Sequence, residues 1–522
     1  MSYPHQPKPT GFNRREALKL FGLAFGGLAS LASNIRNVFA SAEVVTEVPP
    51  PSTPPAPPPY DWADANSLLY SLETYNPGSE TLADDEMRIS FLGTSPILRR
   101  SQAASSVFVE LGKDDAFMFD CGAGVTLNYA AMQIPMSKMR KIFFTHLHGD
   151  HTSDLTQIYC FGPQQDAKSP LYIWGPSASG IEDPNVPGKY YDDGTLNFCR
   201  CFRELNRWHT ESQSFVPTKW NSSEGDGYDI IATELNWRTG AMQTWNVNDP
   251  YPNPDPLPGP SKFTTGEKTY PDGGGIAYEG NGVRISFFPA IHDRNGSISY
   301  KLEWLKAGLS MIFSGDTKPN HFIISQATNG ESPVDVLIHE MVVPPETWAA
   351  KSGDNPENAN PSSFTLRNAR AVEENSHTPE MALGYILNET LNRGKAPRLA
   401  VATHFQAEDD TMVPAFDNLR TWYAGPVTIA TDLMVFNVTR TQIRQRRAAI
   451  SDYTWIPGIA DSRSKSGIAT PKYNDLSPSN PYSPMAPLSQ FDQSLLDSVI
   501  DPCNYNPLDF GCVYPYSPPP KA

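Results

Sequence analysis

Between residues 145 and 154 the chain reads Thr-His-Leu-His-Gly-Asp-His-Thr-Ser-Asp. His146, His148, Asp150 and His151 thus fall within six positions, directly after the apolar stretch Lys141–Phe144. Neutral imidazole and carboxylate are the donors that zinc-type ions take, and a catalytic site also keeps one position open for water. His146 and His148 are two residues apart, so a chain still extended as it leaves a strand points both to one side. Gly149 permits a sharp turn. That turn would bring Asp150 and His151 round to a second ion close to the first. A lone histidine is usually a satisfied polar group near a core, but this spacing is a metal-ligand pattern.

The residues that would complete such a site must come from elsewhere, and rigid elements must hold them. Five further apolar runs end in a ligand-type or proton-transfer residue. Ala116–Phe119 runs into Asp120-Cys-Gly-Ala-Gly, and Ala290-Ile291 precedes His292. Met311-Ile-Phe-Ser-Gly precedes Asp316, Val334–Ile338 precedes His339-Glu340, and Ala402-Thr403 precedes His404. A strand end would fix each of these side chains. Ser376-His377-Thr378-Pro379-Glu380 reads as the entry to a helix over Thr378–Asn388.

The order and spacing of these motifs resemble the metallo-β-lactamase superfamily, whose signature is H-x-H-x-D-H. Met87–Ser95, ending in Gly-Thr-Ser, is similar to the opening of its ribonuclease Z-like branch. The His339-Glu340 and His377-Thr378 elements also resemble that branch, which includes zinc arylsulfatases and small phosphodiesterases, rather than true β-lactamases. The likeness runs over roughly residues 86 to 440. It implies a four-layer αββα sandwich of the α/β class, carrying a large insertion. It implies that His146, His148 and His292 hold one metal and that Asp150, His151 and His404 hold the other, with Asp316 bridging. His377 would sit over the leaving group, oriented by Glu340, while His339 has a packing or supporting duty. Two zinc ions per chain are implied, and manganese or iron suits the same donors.

Such a centre would lower the pKa of a shared water, supply hydroxide at neutral pH and clamp a phosphoryl, sulfuryl or carbonyl group. Asp150 would orient that hydroxide or take its proton, and a protonated His377 would protonate the departing alkoxide. The expected function is therefore hydrolysis of a small phosphodiester or sulfate ester. Exported members of this size also resemble metallo-hydrolases associated with guanitoxin biosynthesis. Lactone or amide hydrolysis on the same site, ribonuclease Z-like nuclease action and non-catalytic metal-dependent binding are the alternatives. Arg99 and Arg100 either hold an anionic substrate or form a solvated surface pair.

Charge argues against nucleic acid. The net charge is −16, and without residues 1–42 it would be −20, from 36 basic and 56 acidic residues. An acidic protein gains nothing from the phosphate electrostatics that drive nucleic-acid binding. The tRNA-processing members resembled here carry an arm between the His292-like and Asp316-like motifs, where this chain has only 23 residues. The extra sequence lies at about 161–282, rich in aromatics such as Trp174, Trp208, Trp220, Trp237 and Trp245. It forms either a lid over the cleft or an enlarged packing layer.

Both ends read differently from the centre. Asn13-Arg14-Arg15-Glu16 resembles a twin-arginine export signal, followed by a short Gly/Ala-rich apolar stretch and the cleavage-type Ala40-Ser41-Ala42. Residues 1–42 are thus the expected leader, with the export machinery as a partner and the periplasm or exterior as destination. Eight prolines in Pro49–Pro59 mark a stiff spacer within 43–60. The catalytic domain is expected at 61–445, with a loop-rich tail at 446–522. Cys503 and Cys512 suit a disulfide in an oxidising compartment, Cys160 has Cys199 or Cys201 as a potential partner, and Cys121 reads as a small core residue. Dimers are common in the branch resembled, so a homodimer is one option, and the sequence leaves the oligomeric state open.

Overall fold

Alternation along the apolar runs dictates two-sided strands. A computed structural model describes residues 73–113, 115–164, 170–213, 228–246, 274–351, 364–451 and 454. Residues 1–42, the proline-rich segment 43–60, Trp220, Cys503, Cys512 and nearly all of 446–522 lie outside these described residues.

Seventeen strands occur among the described residues. The first eight are β1 (Glu73–Tyr75), β2 (Met87–Gly93), β3 (Ser106–Leu111), β4 (Asp115–Phe119), β5 (Lys141–Phe143), β6 (Leu171–Pro176), β7 (Ile230–Leu235) and β8 (Met242–Asn246). Next come β9 (Gly275–Gly280), β10 (Val283–Pro289), β11 (Ile298–Trp304), β12 (Leu309–Phe313), β13 (Val336–Glu340), β14 (Leu399–Thr403) and β15 (Val427–Ile429). β16 (Met434–Val438) and β17 (Ile443–Ala448) complete the set. One sheet has the order β1-β17-β16-β2-β3-β4-β5-β6-β7-β8, the other β15-β14-β13-β12-β11-β10-β9.

The period of two assigns each strand residue to a layer. Met87, Ile89 and Phe91 of β2, Val107 and Val109 of β3, Met311 and Phe313 of β12 and Val336 and Ile338 of β13 share the core between the sheets. The intervening Phe108 and Met118 face the outside of the first sheet, packed with Tyr129, Leu155, Ile158 and Phe202 of three helices. Ile312 and Leu337 face the outside of the second, against Ile323, Leu383, Ile386 and Leu419. Helices therefore cover both outer faces, and the four-layer αββα expectation holds.

Strand direction gathers the site at one edge. β10 and β12 are both antiparallel to β11, and β12, β13 and β14 are mutually parallel. The C-terminal ends of β10, β12, β13 and β14 therefore open together. β4 and β5 are parallel in the facing sheet. The sheets are tied at that edge by Ile298 N donating to Thr145 O (2.9 Å) and by the buried Tyr300 hydroxyl donating to Phe144 O (2.7 Å). Gly315 has φ +57° there, and a Cβ would collide with the Thr145 side chain.

Two parts of the chain differ from expectation. The described part of 161–282 supplies sheet as well as helix: β6–β8 extend the first sheet, β9 edges the second and Thr195–Leu205 is helical. Trp174 stacks on Phe143 (centroids 4.5 Å, planes 3° apart) within the inter-sheet core, because β6 pairs directly with β5. The loop around 177–194 comes to the rim, where Asp193 pairs with Arg294 and Arg294 lies over the Tyr191 ring (5.4 Å). The other departure is at 446, where a tail was expected and strand β17 continues to Ala448. Arg446 is buried, paired with Glu80 (2.6 Å), and the Tyr75 ring lies beside it (4.9 Å). Pairing of β17 with β1 and β16 satisfies its backbone. No helix among the described residues is long and apolar enough to cross a membrane.

Candidate metal centre

Each predicted donor stands where a strand ends. His146, His148, Asp150 and His151 follow β5, His292 follows β10, Asp316 follows β12, Glu340 ends β13 and His404 follows β14. His377 lies between the helices Phe364–Ser376 and Glu380–Asn392. The fold brings all nine together.

His146, His148 and His292 form one group of donors, and Asp150, His151, Asp316 and His404 form a second, each with its donor atoms within 4.8 Å of one another. Nδ1 of His148 is 3.2 Å from Nε2 of His292. Nε2 of His404 is 3.2 Å from Asp150 Oδ2 and 3.3 Å from Asp316 Oδ2, and Nε2 of His151 is 3.3 Å from Asp150 Oδ2. Two ligands on a tetrahedral ion at zinc bond lengths would be about 3.3 Å apart. Asp316 also comes within 3.9 Å of His146 and 3.8 Å of His292, so it stands between the groups.

The buried atoms His146 Nε2, His151 Nε2 and Asp316 Oδ1 have no hydrogen-bond partner. Orphaned polar atoms at full burial are costly and call for a partner. A cation between them would satisfy all three, so the residues fit a metal.

Partners on the far ring nitrogens set the tautomers. Asp120 accepts from Thr145 N (2.8 Å), Thr145 Oγ1 (2.9 Å) and Nδ1 of His151 (2.7 Å). Thr145 Oγ1 in turn meets Nδ1 of His146 (3.1 Å), and Ser376 O accepts from Nδ1 of His292 (2.8 Å). Nε2 of each of these three rings then faces Asp316. Burial holds His146 and His148 below the usual imidazole pKa, hence neutral. Burial pushes Asp150 and Asp316 up, but neighbouring imidazoles, His151 among them, outweigh it and keep both carboxylates ionised.

His377 is set apart from the donors by its own partner. Its Nδ1 donates to Glu340 Oε2 (2.8 Å), and Glu340 Oε1 accepts from Thr317 N. Burial lowers the His377 pKa, yet the Glu340 carboxylate overrides it and pushes the value up to about 9. The His377 ring stacks near His404 (5.6 Å) and meets His292 edge-on (5.0 Å).

Other residues resolve more simply. His339 is buried with Nδ1 against Glu340 O (2.8 Å) and joins no donor group. Asp120 is the supporting residue that spacing alone did not single out; its signal was the Asp-x-Gly after an apolar strand. Arg99 is neither solvated nor free, since it pairs with Glu408 and Gln102, while Arg100 is exposed. Cys160 is not bridged to Cys199 or Cys201: all three are free, and Cys160 Sγ donates to Asn206 Oδ1 (3.3 Å). Cys121 is buried in the core as expected.

Comparison with known proteins finds partial likenesses. The family model described as "Anti-Pycsar protein Apyc1" matches residues 87–178. A ribonuclease BN of Cronobacter sakazakii is 34% identical over 93 residues, 17% of this chain and 31% of that protein. A ribonuclease Z of Methanosarcina mazei is 25% identical over 283 residues, 51% of this chain and 79% of that protein. At the higher identity the match thus spans about a third of the relative's length. The crystal structure of the human short-form tRNase Z aligns with TM-score 0.39 and 18% identity, covering 67% of this chain and 98% of that one. Over these stretches the chain is similar to ribonuclease Z and ribonuclease BN proteins.

Proposed function

We propose that this chain is a dinuclear zinc hydrolase of small phosphodiesters. The observation that carries the reading is the position of Asp316 between the His146–His148–His292 group and the Asp150–His151–His404 group. His146, His148 and His292 would hold one ion, Asp150, His151 and His404 the other, with Asp316 shared. Two bound divalent ions supply a nucleophilic water at neutral pH and offset the charge that builds on phosphoryl oxygens. Asp150, held ionised and partly open to solvent, orients that water and accepts its proton. His377, whose pKa the Glu340 carboxylate raises, holds a proton that it would donate from Nε2 to the leaving oxygen. Glu340 positions the ring and stabilises its charged form.

The names of the relatives, ribonuclease Z and ribonuclease BN, support phosphoryl chemistry. The net charge of −16 and the short hairpin β11–β12 between His292 and Asp316 support a small substrate over an RNA chain. The arginine pair in the leader-like segment supports a further proposal, export of the folded protein. Replacing Arg14 and Arg15 by lysine should then leave uncleaved precursor in the cytoplasm.

The test is turnover of a bis-aryl phosphate and an aryl sulfate by zinc-loaded protein, with His148→Ala as the blank. Phosphodiester hydrolysis lost in the variant is the expected result. Sulfate hydrolysis alone would reassign the substrate to sulfate esters. No turnover of either, with two zinc ions bound, would overturn phosphodiester and sulfate ester hydrolysis and direct attention to lactones and amides.

A further inference from the structure

We propose that Gln102 is a positioning residue for His404, and through it sets the affinity of the Asp150–His151–His404 side of the centre. The proposal rests on the dinuclear reading above. It starts from a conformational oddity: His404 has φ 57°, in the left-handed region that non-glycine residues avoid. Such a conformation persists only where the surroundings over-determine it.

The far side of the ring does not supply that determination. His146, His151 and His292 each have a partner on the far nitrogen, in Thr145, Asp120 and Ser376 O. Nδ1 of His404 is buried with no hydrogen-bond partner, and the nearest carboxylate oxygen of Glu340 is 4.0 Å away. The backbone must therefore aim this imidazole.

A clamp on the following residues does so. Phe405 N donates to Thr94 O (2.8 Å). Gln102 Nε2 donates to Phe405 O (2.9 Å), and Gln102 Oε1 accepts from Ala407 N (3.0 Å). The remaining capacity of the carboxamide is spent on the same loop, with Nε2 donating to Thr94 Oγ1 (2.8 Å) and Oε1 accepting from Arg99. Both donors and both acceptor positions of Gln102 are thus used, at 3% exposure. The clamp is anchored in turn: Asp432 accepts from Thr94 Oγ1 (2.8 Å), Ala103 N (2.6 Å) and Asn128 Nδ2 (2.8 Å). Residues 94–102 and the turn after His404 are more than 300 positions apart in the chain, so this grip exists only in the folded protein.

The test uses the full chain stripped of metal, titrated with zinc by calorimetry, with bound zinc counted by atomic absorption. Gln102→Met keeps the length and removes every bond of the carboxamide. The expected result is one zinc bound as in the unaltered protein and a second bound roughly 10- to 100-fold more weakly. Gln102→Glu keeps the acceptor for Ala407 N and loses the donors, so a smaller loss of the second affinity is expected. It carries the same test if Gln102→Met does not fold. A merely structural role would lower thermal stability without separating the two affinities. Two unchanged affinities in a folded variant would overturn the proposal alone. Fewer than two zinc ions on the unaltered protein would overturn the dinuclear reading, and the proposal with it.

Discussion

Nδ1 of His151 and Oδ2 of Asp120 lie 2.7 Å apart, and neither side chain reaches solvent. Asp120 also has φ 58°, so the turn after β4 is shaped to put its carboxylate under this ring. The bond leaves Nε2 of His151 free and raises the basicity of the ring as a ligand.

Asp120→Asn tests that support, because asparagine tolerates the left-handed backbone while removing the charge. Zinc affinity should fall roughly 10- to 100-fold, measured by competition with a chelator. Equal affinity in the two proteins would leave Asp120 with a purely structural duty.

His377→Ala should lower kcat by roughly 10²- to 10⁴-fold, with zinc content unchanged. A proton donor must be charged to act, so activity should fall as pH rises through the pKa of His377. That value is about 9 without bound cations, and cations nearby pull it lower. The alkaline limb should vanish in the variant. A limb that persists would belong to another group.

Glu234 gives a stability prediction away from the centre. Its Oε1 accepts from Leu196 N (3.0 Å) at the start of the helix Thr195–Leu205, and burial pushes its pKa from 4.5 to about 7. The folded state therefore holds this proton over a range where the unfolded chain releases it, and stability falls as pH rises from about 4.5 to about 7. Glu234→Gln keeps the acceptor and removes the penalty. It should stabilise the protein by up to roughly 3 kcal/mol at pH 8 and hardly at all near pH 4.5, read from urea unfolding. A gain of the same size at both pH values would rule out titration as its cause.

Trp174→Ala separates packing from function. The indole fills the inter-sheet core on Phe143, so truncation should cost about 3–5 kcal/mol. Zinc stoichiometry of the folded fraction should not change. A lost zinc ion with normal stability would place Trp174 in the site instead.

The strands ending at Phe119, Phe143, Phe313, Glu340 and Thr403 were legible because each is an apolar run with a polar stop. The donors were legible for the same reason, standing just beyond those stops. The 161–282 stretch was not legible, since its aromatics have no clear period and a buried strand reads much like a packed surface layer. Arg446 fell within the tail expected at 446–522 because an arginine at a strand end reads as solvated, while here Glu80 and Tyr75 cover it.

Local chemistry determined which residues can ligate an ion and which strands can carry them, because donor type and hydrophobic period are properties of short segments. Tertiary structure alone decided the rest. It put Asp316 between two clusters, joined Glu340 to His377 and closed Gln102 on the turn after His404. These relations link positions 37 to more than 300 residues apart, and their geometry comes from parallel strand ends meeting at one edge, which no short segment encodes.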